Sequence, residues 1–255
     1  MGTLRDRTAL VTGGSRGIGR SISERLGREG ALVGVHYGSD EGAAKSTVAA
    51  IEAAGGRAFT LQAELGVPGD AEKLWAAFDE RIRGLSATPG LDILVNNAGT
   101  ALPAGIADTA EDEFDRVFAV NAKAPFFIIK QGLERLRDGG RIVNTTSGMT
   151  RIAFPAIAAT AMSKGALTTL TRTLALELAP RSITVNSVAP GITETEANAW
   201  LADPGARTHA ESYSAFKRVG QPTDIADIVA FLASDDARWI TGQDIDATGG
   251  SLLGL

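Results

Sequence analysis

A chain of 255 residues with 44% hydrophobic side chains can bury a large core without disulfide or metal staples. The absence of cysteine excludes disulfides, thiolate nucleophiles and cysteine-ligated zinc, and a net charge of −5 offers no basic footprint for nucleic acid. No apolar run approaches the roughly 18 residues of a membrane span, and the N-terminus Met1-Gly2-Thr3-Leu4-Arg5-Asp6-Arg7 lacks a secretory apolar core. The expectation is a soluble cytoplasmic protein with no nucleic-acid, membrane or metal partner.

Short β-branched runs alternate with amphipathic helical stretches from end to end. That is the order of a parallel sheet with crossover helices on both faces. The predicted strands are Thr8–Thr12, Ala31–His36, Ala58–Leu61, Ile93–Val95, Arg141–Thr145, Thr184–Val188 and Gln243–Asp246. They make a seven-stranded parallel sheet within one α/β domain covering residues 1–255.

The first predicted strand runs into Thr12-Gly13-Gly14-Ser15-Arg16-Gly17-Ile18-Gly19, and a helical pattern follows with Ile22 and Leu26. Glycines at 13, 17 and 19 let the backbone turn tightly and approach a diphosphate, while the new helix aims free N–H groups at it. Gly13, Ser15, Arg16, Gly17, Ile18 and Gly19 are therefore candidate dinucleotide contacts. The second strand ends in Tyr37-Gly38-Ser39, with no carboxylate where an acid would hold a free ribose 2′-hydroxyl. Arg16 in the loop and Ser39, near the candidate contact Tyr37, offer a cation and a hydroxyl to a 2′-phosphate, which favours NADPH over NADH. Asp40 is the residue able to reverse that preference. Residues 192–217 are rich in Thr, Glu, Ala and Asn, and Pro204-Gly205 is expected to interrupt any helix there. They read as a substrate lid in which Trp200, Tyr213 and Phe216 suit an aromatic or bulky apolar ligand.

The glycine loop and the later segments resemble, over nearly the whole chain, the short-chain dehydrogenase/reductase family. Within it the likeness is greatest to 3-oxoacyl-carrier-protein reductases and polyketide ketoreductases. The resemblance implies a single-domain Rossmann fold. Asn96-Asn97-Ala98-Gly99 looks like the family's NNAG turn, implying that Asn97, Ala98 and Gly99 brace the sheet and line the adenine-ribose side. Glu64, followed by Leu65, stands where relatives place an aspartate toward adenine. Asn121 is similar to the asparagine that bends a long helix and positions a relay water. Ser147 matches the serine that hydrogen-bonds the substrate carbonyl. Pro190, Gly191, Ile192 and Thr195 match the stretch that contacts the nicotinamide carboxamide. Arg218-Val219-Gly220-Gln221-Pro222 and Ile240-Thr241-Gly242-Gln243 complete the likeness.

Lys164 resembles the family's catalytic lysine, which implies that it holds the nicotinamide ribose hydroxyls. One helical turn earlier, where the family keeps its tyrosine, stands Thr160, and the interval from Ser147 is the family's usual one. Hydride transfer leaves alkoxide character on the carbonyl oxygen, and an aliphatic hydroxyl is a poor acid for it. Several functions stay open. The first is an NADPH-dependent reductase of a small-molecule carbonyl, 3-oxoacyl or aromatic polyketide-like, with an altered proton path. Water held by Lys164 and Asn121, a substrate group, or His209 or Tyr213 of the lid could supply the proton. The others are an engineered or decayed ketoreductase site, an imine or iminium reductase, and a non-catalytic NADP-binding protein. The predicted helices Phe114–Leu136 and Met162–Leu178 carry more apolar surface than one sheet-facing stripe needs. In relatives they pair across a dyad, which implies a homodimer or homotetramer.

Overall fold

Alternation along the first strand decides the architecture. In β1 (Thr8–Val11), Ala9 and Val11 enter one apolar layer and Leu10 enters the other, and all three are fully buried. A strand buried on both faces needs helices on both sides. The chain supplies them as α1 (Gly17–Arg28), β2 (Leu32–Tyr37), α2 (Glu41–Ala53), β3 (Arg57–Gln62), α3 (Asp70–Ile82), β4 (Leu91–Asn96) and α4 (Glu111–Phe118). It continues with α5 (Ala124–Gly132), β5 (Leu136–Thr145), α6 (Ala158–Leu178), β6 (Thr184–Pro190), α7 (Pro204–Tyr213), α8 (Pro222–Ala233) and β7 (Asp244–Ala247). The structure is a computed structural model that describes residues 3–85, 90–251 and 253, so Met1 and Gly2 of the N-terminal stretch lie outside the described residues.

All seven strands pair in parallel in the order β3-β2-β1-β4-β5-β6-β7, the single-domain Rossmann-type sheet that was expected. Ile22 and Leu26 of α1, Ile51 of α2, and Ile225 and Val229 of α8 fill one layer. Leu74, Trp75 and Phe78 of α3, Ile128 of α5 and Leu174 of α6 fill the other. The Trp75 indole N–H donates to the Ile128 carbonyl at 3.0 Å, so its burial strands no donor. Strand order reverses between β1 and β4, and the crevice outside the C-terminal ends of the strands at such a switch point is where open α/β sheets bind ligands. Among the described residues no helix is long and apolar enough to cross a membrane.

Beyond shifts of one or two residues at strand ends, the structure departs from the sequence-based expectation in four places. β5 begins at Leu136 rather than Arg141, and Leu136 pairs with Leu91 ahead of a register shift. The long helix expected from Phe114 to Leu136 is two α segments joined by a wider i→i+5 turn at Ala119–Lys123, and it ends at Gly132. α6 starts at Ala158, a turn before the expected Met162. Pro204-Gly205 does not interrupt a helix: Pro204 opens α7, because a first-turn proline has no N–H to lose and Asp203 caps the helix by accepting from Ala206 N–H at 2.7 Å.

Candidate active site

The glycine loop is held from behind by Thr12. Its hydroxyl accepts from the N–H groups of Asn97 at 2.9 Å and Ala98 at 3.0 Å, and donates to the Val95 carbonyl at 3.3 Å. The Asn97 amide returns the tie, donating to the Thr12 carbonyl at 3.0 Å and the Gly13 carbonyl at 3.3 Å. Asn97 and Ala98 therefore brace β4 against β1, as the family resemblance implied. Gly13 and Gly17 have φ of +62° and +54°, left-handed values that other residues adopt reluctantly. At Gly19 a Cβ would sit 2.0 Å from the Gly13 carbonyl oxygen, so this glycine is required by the loop's own packing. α1 follows from Arg16 with no acidic side chain in its first turn, and its leading N–H groups can hold an anion.

His36 escaped the sequence reading. It is buried on β2, where Nδ1 accepts from Gly13 N–H at 3.0 Å and Nε2 lies 2.9 Å from the Ala63 carbonyl. One neutral tautomer satisfies both contacts, with Nε2–H donating to Ala63. Burial pulls its pKa down to about 4. Its only sequence signal is a histidine inside an apolar strand, which by itself points nowhere. Thr12 carried a better signal, a hydroxyl at the strand end beside the glycines.

The far end of this crevice bears on the cofactor preference. Asp40 accepts from Ala43 N–H at 2.9 Å and caps α2, so its carboxylate is engaged. Arg16 and Ser39 are exposed, and Tyr37 is buried against the sheet. Glu64 is exposed and lies 3.8 Å from Arg116, while Leu65 next to it joins the core.

Under the opposite end lies a buried polar cluster. Lys164 of α6 donates from Nζ to the Thr145 carbonyl at 2.7 Å, and a Cβ on Gly99 would come within 3.3 Å of the same nitrogen. Desolvation lowers the Lys164 pKa to about 8, and among the described residues no carboxylate pairs with it. Asn121, in the wide turn between α4 and α5, accepts from Thr100 N–H at 2.9 Å. Its Nδ2 donates to the Thr100 carbonyl and to Ser163 Oγ, both at 2.9 Å. Ser163 Oγ in turn donates to the Thr160 carbonyl at 2.7 Å. The Thr160 hydroxyl is buried and accepts from Leu102 N–H at 2.9 Å, which fixes the loop after β4. Ser147 lies two residues beyond the end of β5, and its Oγ accepts from Met149 N–H at 3.3 Å. The sheet thus brings Ser147, Thr160, Lys164 and Asn121 to one end of the crevice.

The segment after β6 lies across the loop. Gly191 donates to the Ala247 carbonyl at 3.2 Å, and Thr193 bridges to Gly220. A Cβ on Gly17 would meet the Thr195 side chain at 3.3 Å, so Thr195 reaches the start of α1. Ile192 packs beside Leu201, Ala210 and Val219 in a small satellite core. Pro190 ends β6 and is buried. Phe216, 74% exposed, lines a recess of about 300 Å³ with Gly191, Ile192 and Gly249, and Trp200 is half exposed. Among the described residues no acid or histidine cluster could hold a metal ion.

Comparison with known proteins agrees with this geometry. A family model described as Enoyl-(Acyl carrier protein) reductase matches residues 13–251. The chain is 38% identical to versicolorin reductase stcU of Emericella nidulans over 97% of its length and 96% of that protein. It is 36% identical to tetrahydroxynaphthalene reductase of Pyricularia oryzae, over 98% and 91% of the two chains. The crystal structure of the angucycline C-6 ketoreductase LanV with bound NADP superposes with a TM-score of 0.96 at 50% identity, covering 99% of this chain and 98% of that one. The structure of LugOII, a promiscuous reductase that catalyses keto-reduction at C1 in lugdunomycin biosynthesis, gives 0.96 at 51% identity, covering 99% and 100%. With glycine loop, bracing turn and buried lysine in place, the chain belongs to the short-chain dehydrogenase/reductase family.

Proposed function

We propose that this protein is an NADPH-dependent reductase of an aromatic polyketide-like ketone, with a proton path that does not run through position 160. The observation that carries the reading is Lys164, a buried ammonium facing Gly99 at the crevice floor with a backbone carbonyl as its partner. Such a group suits a ligand bearing hydroxyls and negative charge. NADPH, when bound, supplies the hydride. In this reading Gly13, Ser15, Gly17, Ile18 and Gly19 take the diphosphate. Arg16, Tyr37 and Ser39 take the 2′-phosphate end, and Glu64, Leu65, Asn97, Ala98 and Gly99 line the adenosine side. Pro190, Gly191, Ile192 and Thr195 take the carboxamide, Lys164 orients the ribose, and Ser147 donates to the substrate oxygen. Residues 192–217 act as the lid, and two or four copies assemble through α5 and α6.

In this reading Thr160 stands at the position of the family's tyrosine, and its hydroxyl is engaged with Leu102 N–H. Its role is to hold the loop after β4, with Asn121 and Ser163 holding the other side. The test measures NADPH oxidation with aromatic ketones by wild type and Thr160→Tyr. Wild type is expected to turn over, and the variant to stay at or below that rate, because the tyrosine removes the Leu102 tie. A gain of about 10²-fold, the scale of a positioned general acid, would identify instead a ketoreductase site that has lost its donor.

A further inference from the structure

Tyr213 is the last residue of α7, and its ring meets that of Phe154 edge-on, with centroids 5.7 Å apart and planes at 77°. Phe154 lies in the segment joining Ser147 to Thr160, so this contact links α7 to the wall of the candidate site. One helical turn back, Nε2 of the exposed His209 is 2.9 Å from the Tyr213 hydroxyl. The chain that follows is pinned: Ser214 Oγ donates to the Gly249 carbonyl at 3.1 Å, and Ala215 N–H donates to the same carbonyl at 3.0 Å. Gly249 adjoins Thr248, against which Gly148 packs so closely that a Cβ there would lie 2.7 Å from Thr248 Cγ2. Gly148 adjoins Ser147. Two separate routes therefore tie Tyr213 to the segment that bears Ser147, and the chain's other tyrosine, Tyr37, is buried in the opposite half of the sheet.

We propose that Tyr213, backed by His209, is the proton donor of this site, an assignment that rests on the reductase reading above. As hydride bonds to the carbonyl carbon, the C=O π pair moves to oxygen, and that oxygen takes the Tyr213 hydroxyl proton. The phenolate left behind takes the proton on Nε2 of the His209 ring, 2.9 Å away, as solvent protonates the exposed ring at its other nitrogen. One hydride and one proton enter the substrate, and the Tyr213–His209 pair returns to its starting state. A phenol is a far better acid than an aliphatic hydroxyl, and a hydrogen bond donated to its oxygen stabilises the anion further. Tyr213 touches the reacting oxygen in this scheme, and His209 acts through Tyr213 as a positioning residue.

The experiment compares wild type, Tyr213→Phe, His209→Gln and the double variant in NADPH-dependent reduction of aromatic ketones such as 1-tetralone, with NADPH Kd measured separately. Phenylalanine keeps the ring contact with Phe154 and deletes only the hydroxyl. Tyr213→Phe is expected to lower kcat by about 10²-fold or more, with KM and NADPH Kd within about twofold of wild type. His209→Gln should lower kcat by less at unchanged KM, and should add nothing in the Tyr213→Phe background, because a relay acts as a unit. Unchanged kcat in Tyr213→Phe, or a loss confined to KM, overturns the assignment while leaving the reductase reading in place. Absence of NADPH oxidation by wild type across aromatic ketones overturns the reductase reading itself, and this assignment with it.

Discussion

Arg16 stands in extended conformation at the N-cap of α1, beside the loop proposed to take the diphosphate. Its guanidinium is exposed, and among the described residues it forms no ion pair, so it is available to an incoming anion. The residue that could oppose a 2′-phosphate, Asp40, is occupied in capping α2, which leaves Ser39 as the polar side chain at the end of β2. A charge-assisted hydrogen bond is worth about 1.5–3 kcal/mol, equivalent to a ten- to hundredfold change in affinity. Arg16→Gln is therefore expected to raise the NADPH dissociation constant about tenfold or more while changing that for NADH less than about twofold. Fluorescence titration with both cofactors checks it. Equal losses for the two would remove the basis of the NADPH preference.

Between elements, His36 couples β2 to the glycine loop through Gly13 N–H and to the end of β3 through the Ala63 carbonyl. Accepting from Gly13 N–H requires an unprotonated Nδ1, and burial lowers the folded pKa to about 4 against an ordinary 6.5. Between those values the unfolded chain binds a proton that the folded chain refuses. Stability falls as pH drops from about 6.5 to about 4, by roughly 3 kcal/mol from this group, with no contribution above or further loss below. Urea unfolding at about pH 7 and pH 4.5 should show a larger loss for wild type than for His36→Gln, which carries no titrating ring. Identical losses would place the titration elsewhere. His36 also marks where sequence reading stops. β1 and β2 were legible to within a residue because both faces are buried and their sequences are mostly apolar. The start of β5 was not, since Arg137-Asp138-Gly139-Gly140 carries no apolar pattern and its place is set by pairing with β4. α7 was missed because Pro204 reads as a breaker until Asp203 is seen to cap it. Lys164, Ser147 and Asn121 were singled out as candidates through family spacing, whereas the Tyr213–Phe154 contact depends on a fold that brings distant segments together.

At the scale of the whole molecule, the α5–α6 face is left apolar on the outside. Ala122, Phe126, Ala166, Leu167 and Leu170 line a groove of about 430 Å³ in which Lys123 is the one charged residue. Met162 and Leu176, 57% and 82% exposed, extend it along α6 at helical spacing. The two adjacent phenylalanines of α5 divide the work. Phe127 packs against the protein's own core beside Ile128, while Phe126 is 48% exposed and belongs to the groove. A charge at position 127 would therefore damage the fold, and a charge at position 126 would fall on the face proposed to meet a second copy. Because an isologous contact repeats each residue across the dyad, one substitution introduces two buried carboxylates into each interface. Wild type is expected to show a dimer or tetramer mass by light scattering at micromolar concentration. Phe126→Asp should move that mass to the monomer with an unchanged far-ultraviolet dichroism spectrum, whereas Phe127→Asp should lose helical signal. A monomeric wild type would mean that this face serves some purpose other than self-association.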